Sequence, residues 1–180
     1  MSQLPEGHHG YLPPRSVDVT YRRRHEARTT GRIRRKGASM PIPLHELRER
    51  SFSGTRRRIY QLLVDMGTSN DVVWPFPAQP FMRSPGPLVI GKTEEWHNGF
   101  HALLEEAVPE ERIVWRIQND GFDGTHGFYL SGEGKQTTVQ HRIDATLSDT
   151  EGRLLWRRLE DANERSMEAL FDKIARVLKR

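Results

Sequence analysis

The chain has 180 residues, a length typical of one ordinary domain or of a smaller domain with a tail. Hydrophobic residues make up 35% and charged residues 29%, and the formal net charge is +4. The sequence contains no cysteine, which excludes a disulfide framework, a thiolate metal site and a cysteine nucleophile. Its longest purely apolar runs are three residues, too short for a transmembrane span or a signal-peptide core, so we expect a cytoplasmic protein.

The positive charge is concentrated in residues 1–39, which carry a formal net charge of +6, whereas residues 40–180 carry −2. This segment is rich in Pro, Gly, Ser and Arg, and its few apolar residues follow neither a helical nor a strand period. It therefore predicts a basic disordered tail. A basic arm for nucleic acid or acidic membranes, an organelle transit peptide, and a native start at Met40 are the alternatives. We expect no binding of nucleic acid except through residues 1–39.

Regular patterning begins at Met40 and predicts one domain over residues 40–180. Ile42–Ser53 alternates loosely, as a first strand does. Thr55 is a candidate N-cap for a helix that ends near Met66, and residues 70–74 predict a second short helical turn.

Residues 75–87 contain five prolines, a density that neither a helix nor a central strand tolerates, so this segment predicts a loop. After it, alternation and turn residues predict an antiparallel meander of strands over 88–95, 100–107, 112–118, 125–131 and 136–147. Apolar residues three or four apart then predict a long helix over 150–178 that packs on the sheet. This stripe is Leu155, Leu159, Ala162, Ser166, Leu170, Ile174 and Val177, and Leu154, Met167, Ala169 and Phe171 widen the apolar arc beyond it.

Five segments, in their order and spacing, resemble the START-like or SRPBCC superfamily, most of all its polyketide cyclase/dehydrase-type members. They are VVWPFPAQPFMRSPGPLVIG (72–91), WHNGFHALLEEAVPEERIVWRI (96–117), GFDGTHGFYL (121–130), TTVQHRI (137–143) and the helix over 150–178. The resemblance covers about residues 44–178. It implies an α+β helix-grip fold, in which a curved antiparallel sheet wraps around the long C-terminal helix and two short helices follow the first strand. Proteins of this superfamily include lipid carriers, hormone receptors and cyclases, so the fold alone does not assign a function.

The resemblance also implies a cavity, because a curved sheet cannot contact a straight helix along its whole length. We expect the apolar residues of the proline-rich loop, Phe76, Phe81 and Met82, to cover one mouth of this cavity. The candidate ligand-binding residues are Trp74, Phe81, His97, Trp115, His126, Phe128, Leu130, Val139, His141, Ile143, Leu155 and Leu159. The alternative for each of them is plain core packing.

The histidines on predicted strands are the candidate catalytic residues. Alternation places His126 and His141 on the inner face of neighbouring strands, so their rings should lie close together. A further inward histidine is His97 or its neighbour His101. A neutral imidazole in an apolar cavity can hydrogen-bond a ligand hydroxyl or carbonyl, or transfer a proton near neutral pH. The alternative is a buried structural histidine with a satisfied hydrogen bond.

No nucleotide-binding, hydrolase or metal-ligand motif is present, so the sequence predicts neither a cofactor nor a metal. Neighbouring glutamates point to opposite faces of a strand, which leaves Glu94, Glu105 and Asp144 as single candidate carboxylates. We favour the binding of a hydrophobic small molecule in the cavity. An aromatase/cyclase- or dehydratase-like enzyme that uses cavity histidines, and a regulatory domain with an Arg-rich nucleic-acid-binding arm, are the alternatives. The sequence assigns neither the ligand nor the oligomeric state.

Overall fold

The computed structural model describes residues 40–147 and 150–180. The elements, in chain order, are β1 (Ile42–Ser53), α1 (Arg56–Val64), β2 (Met82–Arg83), β3 (Glu94–His97), β4 (Phe100–Val108), β5 (Arg112–Ile117), β6 (Phe122–Ser131), β7 (Gln136–Leu147) and α2 (Thr150–Leu178). The basic tail predicted for residues 1–39, and its boundary with the domain, lie outside the described residues. Neither described helix combines the length and the apolar character that crossing a membrane would require.

The seven strands form one antiparallel sheet in the order β1-β7-β6-β5-β4-β3-β2. From β2 to β7, each strand pairs with the next strand along the chain, as expected for a meander. β1 closes the other edge by pairing with β7 along its full length, from Ile42 opposite Leu147 to Ser53 opposite Gln136. With the long helix α2 after the last strand, this is the α+β helix-grip arrangement that the sequence predicts.

The helix α1 follows β1 directly and begins where the sequence predicts. The hydroxyl of Thr55 accepts a hydrogen bond from the backbone N–H of Arg58 at 3.3 Å, which satisfies one of the free N–H groups of the first turn. The helix buries Ile59 and Leu63 in the core. Its role is therefore to cover one end of the sheet interior.

The second short helix expected at residues 70–74 does not form. The Asp71 carboxylate accepts hydrogen bonds from the backbone N–H groups of Val73 and Trp74, both at 2.9 Å. These side-chain bonds replace helical backbone bonds, and Pro75 then disfavours the helical conformation of the residue before it. The chain turns here instead of continuing as a helix.

The proline-rich segment also differs from expectation. Phe81 is buried in the main core, its ring stacked on His97 at 4.8 Å between centroids, so it fills the interior instead of covering a mouth. The following strand begins only at Glu94, because the chain turns where the Thr93 hydroxyl accepts a hydrogen bond from the N–H of Val89 at 2.8 Å.

The buried face of α2 follows the predicted apolar arc in part. Met167 and Phe171 are buried as expected, as are Leu159, Ser166, Leu170 and Ile174 of the stripe, whereas Leu155, Ala162, Ala169 and Val177 are only half-buried and Leu154 is exposed. Trp156 and Asn163, which the predicted arc does not include, are also buried. Trp156 and Phe171 belong to two separate hydrophobic clusters of the core. Because these large side chains remove more apolar area from water than Leu155 or Val177, they set which face of the helix meets the sheet.

Candidate functional site: a buried glutamate among histidines

His126 on β6 and His141 on β7 point into the interior between the sheet and α2. They are 5% and 3% exposed, and their ring centroids lie 6.0 Å apart. Burial alternates along both strands, and His141 pairs opposite Phe128, which is two residues from His126 on the same face. The structure thus brings together the two histidines that alternation places on the inner face.

The strand β3 adds two polar side chains to the same interior. Glu95 is 1% exposed and His97 is 9% exposed, whereas Trp96 between them points outward. His101, the sequence alternative to His97, lies on the outer face, where its ring stacks on Trp96 with 5.0 Å between centroids. Of the two candidates, only His97 reaches the interior.

Glu95, His97, His126 and His141 form what we call the Glu–His cluster. Oε1 of Glu95 lies 2.9 Å from Nε2 of His126 and 3.6 Å from Nδ1 of His97. Despite these short distances, none of the three atoms makes a hydrogen bond of regular geometry to any described residue. A buried polar atom without a well-aligned partner is costly, so the cluster has hydrogen-bonding capacity to offer a ligand.

Burial holds two of the histidines in the neutral state. It lowers the pKa of His97 from 6.5 to about 4, although the carboxylate of Glu95 acts in the opposite direction. Burial likewise lowers the pKa of His141 well below its usual value, and the neighbouring His126, His97 and Arg48 lower it further. At neutral pH both rings therefore carry one donor and one acceptor nitrogen, and neither neutralises Glu95.

Arg83 on β2 pairs directly opposite Glu95. Its Nη2 donates a hydrogen bond to the carbonyl oxygen of Gly86 at 2.8 Å, whereas its buried Nε and Nη1 have no hydrogen-bond partner among the described residues. Burial lowers the pKa of Arg83, while Asp65 and Glu95 raise it. A guanidinium stays charged at neutral pH, so a cation lies on the strand next to the buried carboxylate.

The three carboxylates that the sequence analysis retained all point away from this interior. They contact basic side chains on the outer face of the sheet: Glu94 lies 3.4 Å from His101, Glu105 forms an ion pair with Arg116 at 2.6 Å, and Asp144 is hydrogen-bonded to His45 at 3.0 Å. Glu95 was missed because the predicted strand over 88–95 ended there. Placing a strand through His97 would have put both residues on one face, two positions apart.

Two small inner cavities of about 10 Å³ each border the cluster. The first, which we call the inner cavity, is lined by all four cluster residues and by Trp74, Phe81, Phe128 and neighbouring apolar side chains. The second is lined by Arg83, Glu95 and Trp115, among others. Each has room for about one water-sized group. Next to the cluster, the space between the sheet and α2 is thus not a large cavity in the described part of the chain, because Phe81, Met167 and Leu170 fill it.

A larger pocket of about 650 Å³ lies where the β3–β4 hairpin meets α2, and we call it the hairpin pocket. Its apolar lining comes from Met82, Trp96, Phe100, Leu159 and Ala162, and its polar lining includes Asn98, His101 and Arg158. His97 lines both this pocket and the inner cavity, so one side chain borders both spaces.

The hairpin is held against α2 by two local features. Asn98 donates a hydrogen bond from Nδ2 to Oγ of Ser166 at 2.7 Å. Gly99 has a φ of 84°, and a Cβ at this position would lie 3.0 Å from Cδ2 of Leu159. The backbone conformation favours glycine at this position, and its lack of a side chain lets Leu159 pack closely against one wall of the pocket.

The predicted ligand-binding residues separate into groups. Trp74, Phe81, His97, His126, Phe128 and His141 line the inner cavity, Phe81, Trp115 and Phe128 line the second one, and His97 and Leu159 line the hairpin pocket. Leu130, Val139 and Ile143 are buried core residues that line none of these spaces, and Leu155 is half-buried beside Trp156. Across residues 40–147 and 150–180, no three His, Asp or Glu side chains are grouped as metal ligands.

No protein-family model matches the chain, and no curated protein matches it. Solved structures share its fold. Protein Ms6760 from Mycobacterium smegmatis has a TM-score of 0.55 and 14% identity over 76% of this chain and 91% of that chain. CalU16 from Micromonospora echinospora has a TM-score of 0.50 and 13% identity over 79% and 90%. DynU16 has a TM-score of 0.50 and 17% identity over 75% of this chain but only 47% of its own. At these identities the similarity shows the helix-grip fold and not an activity.

Proposed function

We propose that this protein binds a small molecule with an apolar body in the hairpin pocket. The observation that carries the proposal is a pocket of about 650 Å³ whose lining includes His97, a member of the buried Glu–His cluster. Ligand sites are typically concave, mostly apolar and equipped with a few converging polar groups, and pockets of 300–1,000 Å³ are typical. The hairpin pocket and the cluster together have these properties.

The lining favours a flat or aromatic ligand body. Trp96, which stacks on His101, and Phe100 contribute aromatic rings to the lining, while Leu159 and Ala162 of α2 form the apolar wall. Aromatic surfaces contribute large contact areas with little loss of side-chain entropy. A bicyclic aryl compound such as 2-naphthol is therefore a suitable test ligand.

Filling the pocket tests the proposal. The substitution Ala162→Trp places a large ring in the pocket from a half-buried position on α2, whereas Ala169→Trp changes an equally half-buried alanine that lines none of the three spaces. Titration calorimetry with 2-naphthol should show binding by the wild type and by Ala169→Trp, and about a tenfold or greater loss of affinity in Ala162→Trp. Equal affinity in all three proteins, or no binding by the wild type, would contradict the proposal.

A second candidate function is an acid–base enzyme of the cyclase or dehydratase type. The contact of 2.9 Å between the Glu95 carboxylate and the His126 ring favours it, because such a pair can hold and pass a proton. DynU16, a fold neighbour, is described as a protein in the dynemicin biosynthetic locus, which agrees with a role in the chemistry of small molecules.

Hydrogen–deuterium exchange at the carbon next to a ketone carbonyl distinguishes an acid–base enzyme from a protein that only binds its ligand. The base removes a proton from the carbon next to the carbonyl, the electron pair moves to the oxygen as an enolate, and a deuteron returns from D₂O. An enzyme should accelerate deuterium incorporation into 1-tetralone, and Glu95→Gln should abolish the acceleration while Glu105→Gln, on the outer face, retains it. A rate equal to that of buffer alone would leave binding as the function.

A further inference from the structure

We infer that the ligand carries a neutral hydrogen-bond donor, such as a hydroxyl group, and that the buried carboxylate of Glu95 accepts its hydrogen bond in the inner cavity. The inference deepens the proposed function and rests on it. It assigns a chemical class to the ligand. It also gives Glu95, which has no other role in the proposed binding site, a role in recognising that ligand. Three properties of the cluster and its surroundings support this assignment.

The first property is unused accepting capacity. Glu95 is 1% exposed, and its Oε1 has no hydrogen bond of regular geometry to any described residue. An ionised carboxylate has only acceptor sites, so a group that satisfies it must donate. The carboxylate also repels an anion that approaches Oε1, so a ligand carboxylate or phosphate is not the group that Glu95 recognises.

The second property is the neighbouring positive charge. Arg83 pairs opposite Glu95 and keeps two nitrogen atoms buried without partners among the described residues. A ligand ammonium would approach the carboxylate against the charge of this guanidinium. A neutral donor avoids that repulsion, and a hydroxyl oxygen could in turn accept a hydrogen bond from a neighbouring imidazole N–H.

The third property is the small size of the inner cavity and the position of His97 at its border with the hairpin pocket. The inner cavity of about 10 Å³ has room for one oxygen-sized group, and His97 lines both this cavity and the hairpin pocket. An aryl body in the hairpin pocket therefore places a single projecting substituent next to His97. Displacement of this one side chain would admit the substituent to Glu95.

Two matched compounds test the inference on the wild-type protein. They are 2-naphthol, which has a hydroxyl donor, and 2-methoxynaphthalene, in which a methyl group replaces the donor proton. A purely apolar pocket favours the ether by about fourfold, because the ether buries one more methyl group. A carboxylate that needs a donor favours the naphthol by about tenfold or more, because hydrogen bonds to charged groups are the stronger ones. The two explanations thus predict opposite signs.

Two variants locate the preference. Glu95→Gln keeps the shape but removes the charge, and should reduce the preference for 2-naphthol to about threefold or less. Glu105→Gln removes a carboxylate that pairs with Arg116 on the outer face, and should keep the wild-type preference. If Glu95→Gln does not fold, the affinities of the two compounds for the wild type still test whether the site prefers a ligand with a hydrogen-bond donor.

Each of the remaining outcomes would contradict the inference, the assignment to Glu95 or the proposed function. Equal affinities, or tighter binding of the ether, would overturn the inference and leave the proposed function standing. A full preference for 2-naphthol in a folded Glu95→Gln protein would overturn the assignment to Glu95. Binding of neither compound would overturn the proposed function and the inference together.

Discussion

Glu95 is buried on a strand whose neighbours offer only incomplete compensation for its charge. Removing a carboxylate from water costs several kcal/mol unless ion pairs and hydrogen bonds replace the lost hydration. Here His126 is 2.9 Å from the carboxylate and Arg83 lies on the paired strand, but the hydrogen-bond geometry is poor. A residue of this kind contributes less to stability than a well-packed apolar side chain would, which is typical of sites that serve binding or chemistry.

The lowered pKa of His97 predicts how the free energy of unfolding changes with pH. Its pKa is lowered from 6.5 to about 4 in the folded protein, so the unfolded chain binds the proton more tightly. The stability contribution of the neutral ring is therefore complete above pH 6.5 and is lost as the pH falls towards 4. Between pH 7 and pH 5 this amounts to about 2 kcal/mol of the free energy of unfolding.

Urea unfolding at a series of pH values measures this loss, and two variants isolate it. His97→Gln removes one titrating ring and should reduce the decline between pH 7 and pH 5 by about 2 kcal/mol, while the part due to His141 remains. His45→Gln changes an exposed histidine that pairs with Asp144 on the outer face, and should leave the profile as in the wild type. An unchanged decline in His97→Gln would show that other groups cause the acid sensitivity.

At the scale of an element, the start of α2 is constrained by one close approach. A Cβ on Gly152 would lie 2.2 Å from the carbonyl oxygen of Gly121, the last residue of the turn that leads into β6. Alanine normally stabilises a helix by about 1 kcal/mol relative to glycine, but here the overlap with backbone should dominate. We expect Gly152→Ala to lower the free energy of unfolding by about 1–3 kcal/mol in urea titrations.

Arg157→Ala is the control for helix propensity, because Arg157 is exposed on the same helix. Its free energy of unfolding should stay within about 0.5 kcal/mol of the wild type. Should Gly152→Ala prove as stable as the wild type, the close packing of α2 against the β5–β6 turn would be wrong.

Elements with a clear period could be predicted from sequence, and those shaped by single side-chain contacts could not. Strict alternation predicts β7 with its observed bounds, and the spacing of apolar residues predicts the extent of α2. The turn at Asp71 and the late start of β3 depend on side-chain hydrogen bonds to backbone, which leave no periodic signal. Because β3 begins and ends later than the predicted strand, Glu95 was not identified as a buried residue. His126 and His141 lie on regular strands, and their inward orientation was predicted correctly.

Along the full chain, the net charge is distributed unevenly. Residues 1–39 carry a net charge of +6 and residues 40–180 carry −2, and we propose that the folding unit begins at Met40. A chain that starts at Met40 should melt cooperatively within a few degrees of the full-length protein in calorimetry. A broad or much lower transition would mean that the domain needs residues N-terminal to Met40.

The same shortened chain tests the remaining alternative, an Arg-rich arm for nucleic acid. If the arm binds, the full-length protein should bind a generic DNA duplex with an affinity that falls steeply with salt, and the chain from Met40 should not bind it. Binding retained by the shortened chain would place the nucleic-acid surface on the domain, against its negative net charge.

The most direct test of small-molecule binding next to the Glu–His cluster is NMR of the histidine ring nitrogens during titration with 2-naphthol. We expect the signals of His97 and His126 to shift together in a saturable manner, because His97 lines both the hairpin pocket and the inner cavity and His126 contacts Glu95. The signal of His45, on the outer face, should stay in place. Shifts confined to histidines that line neither space, such as His45, or no saturable shift at His97, would contradict this function.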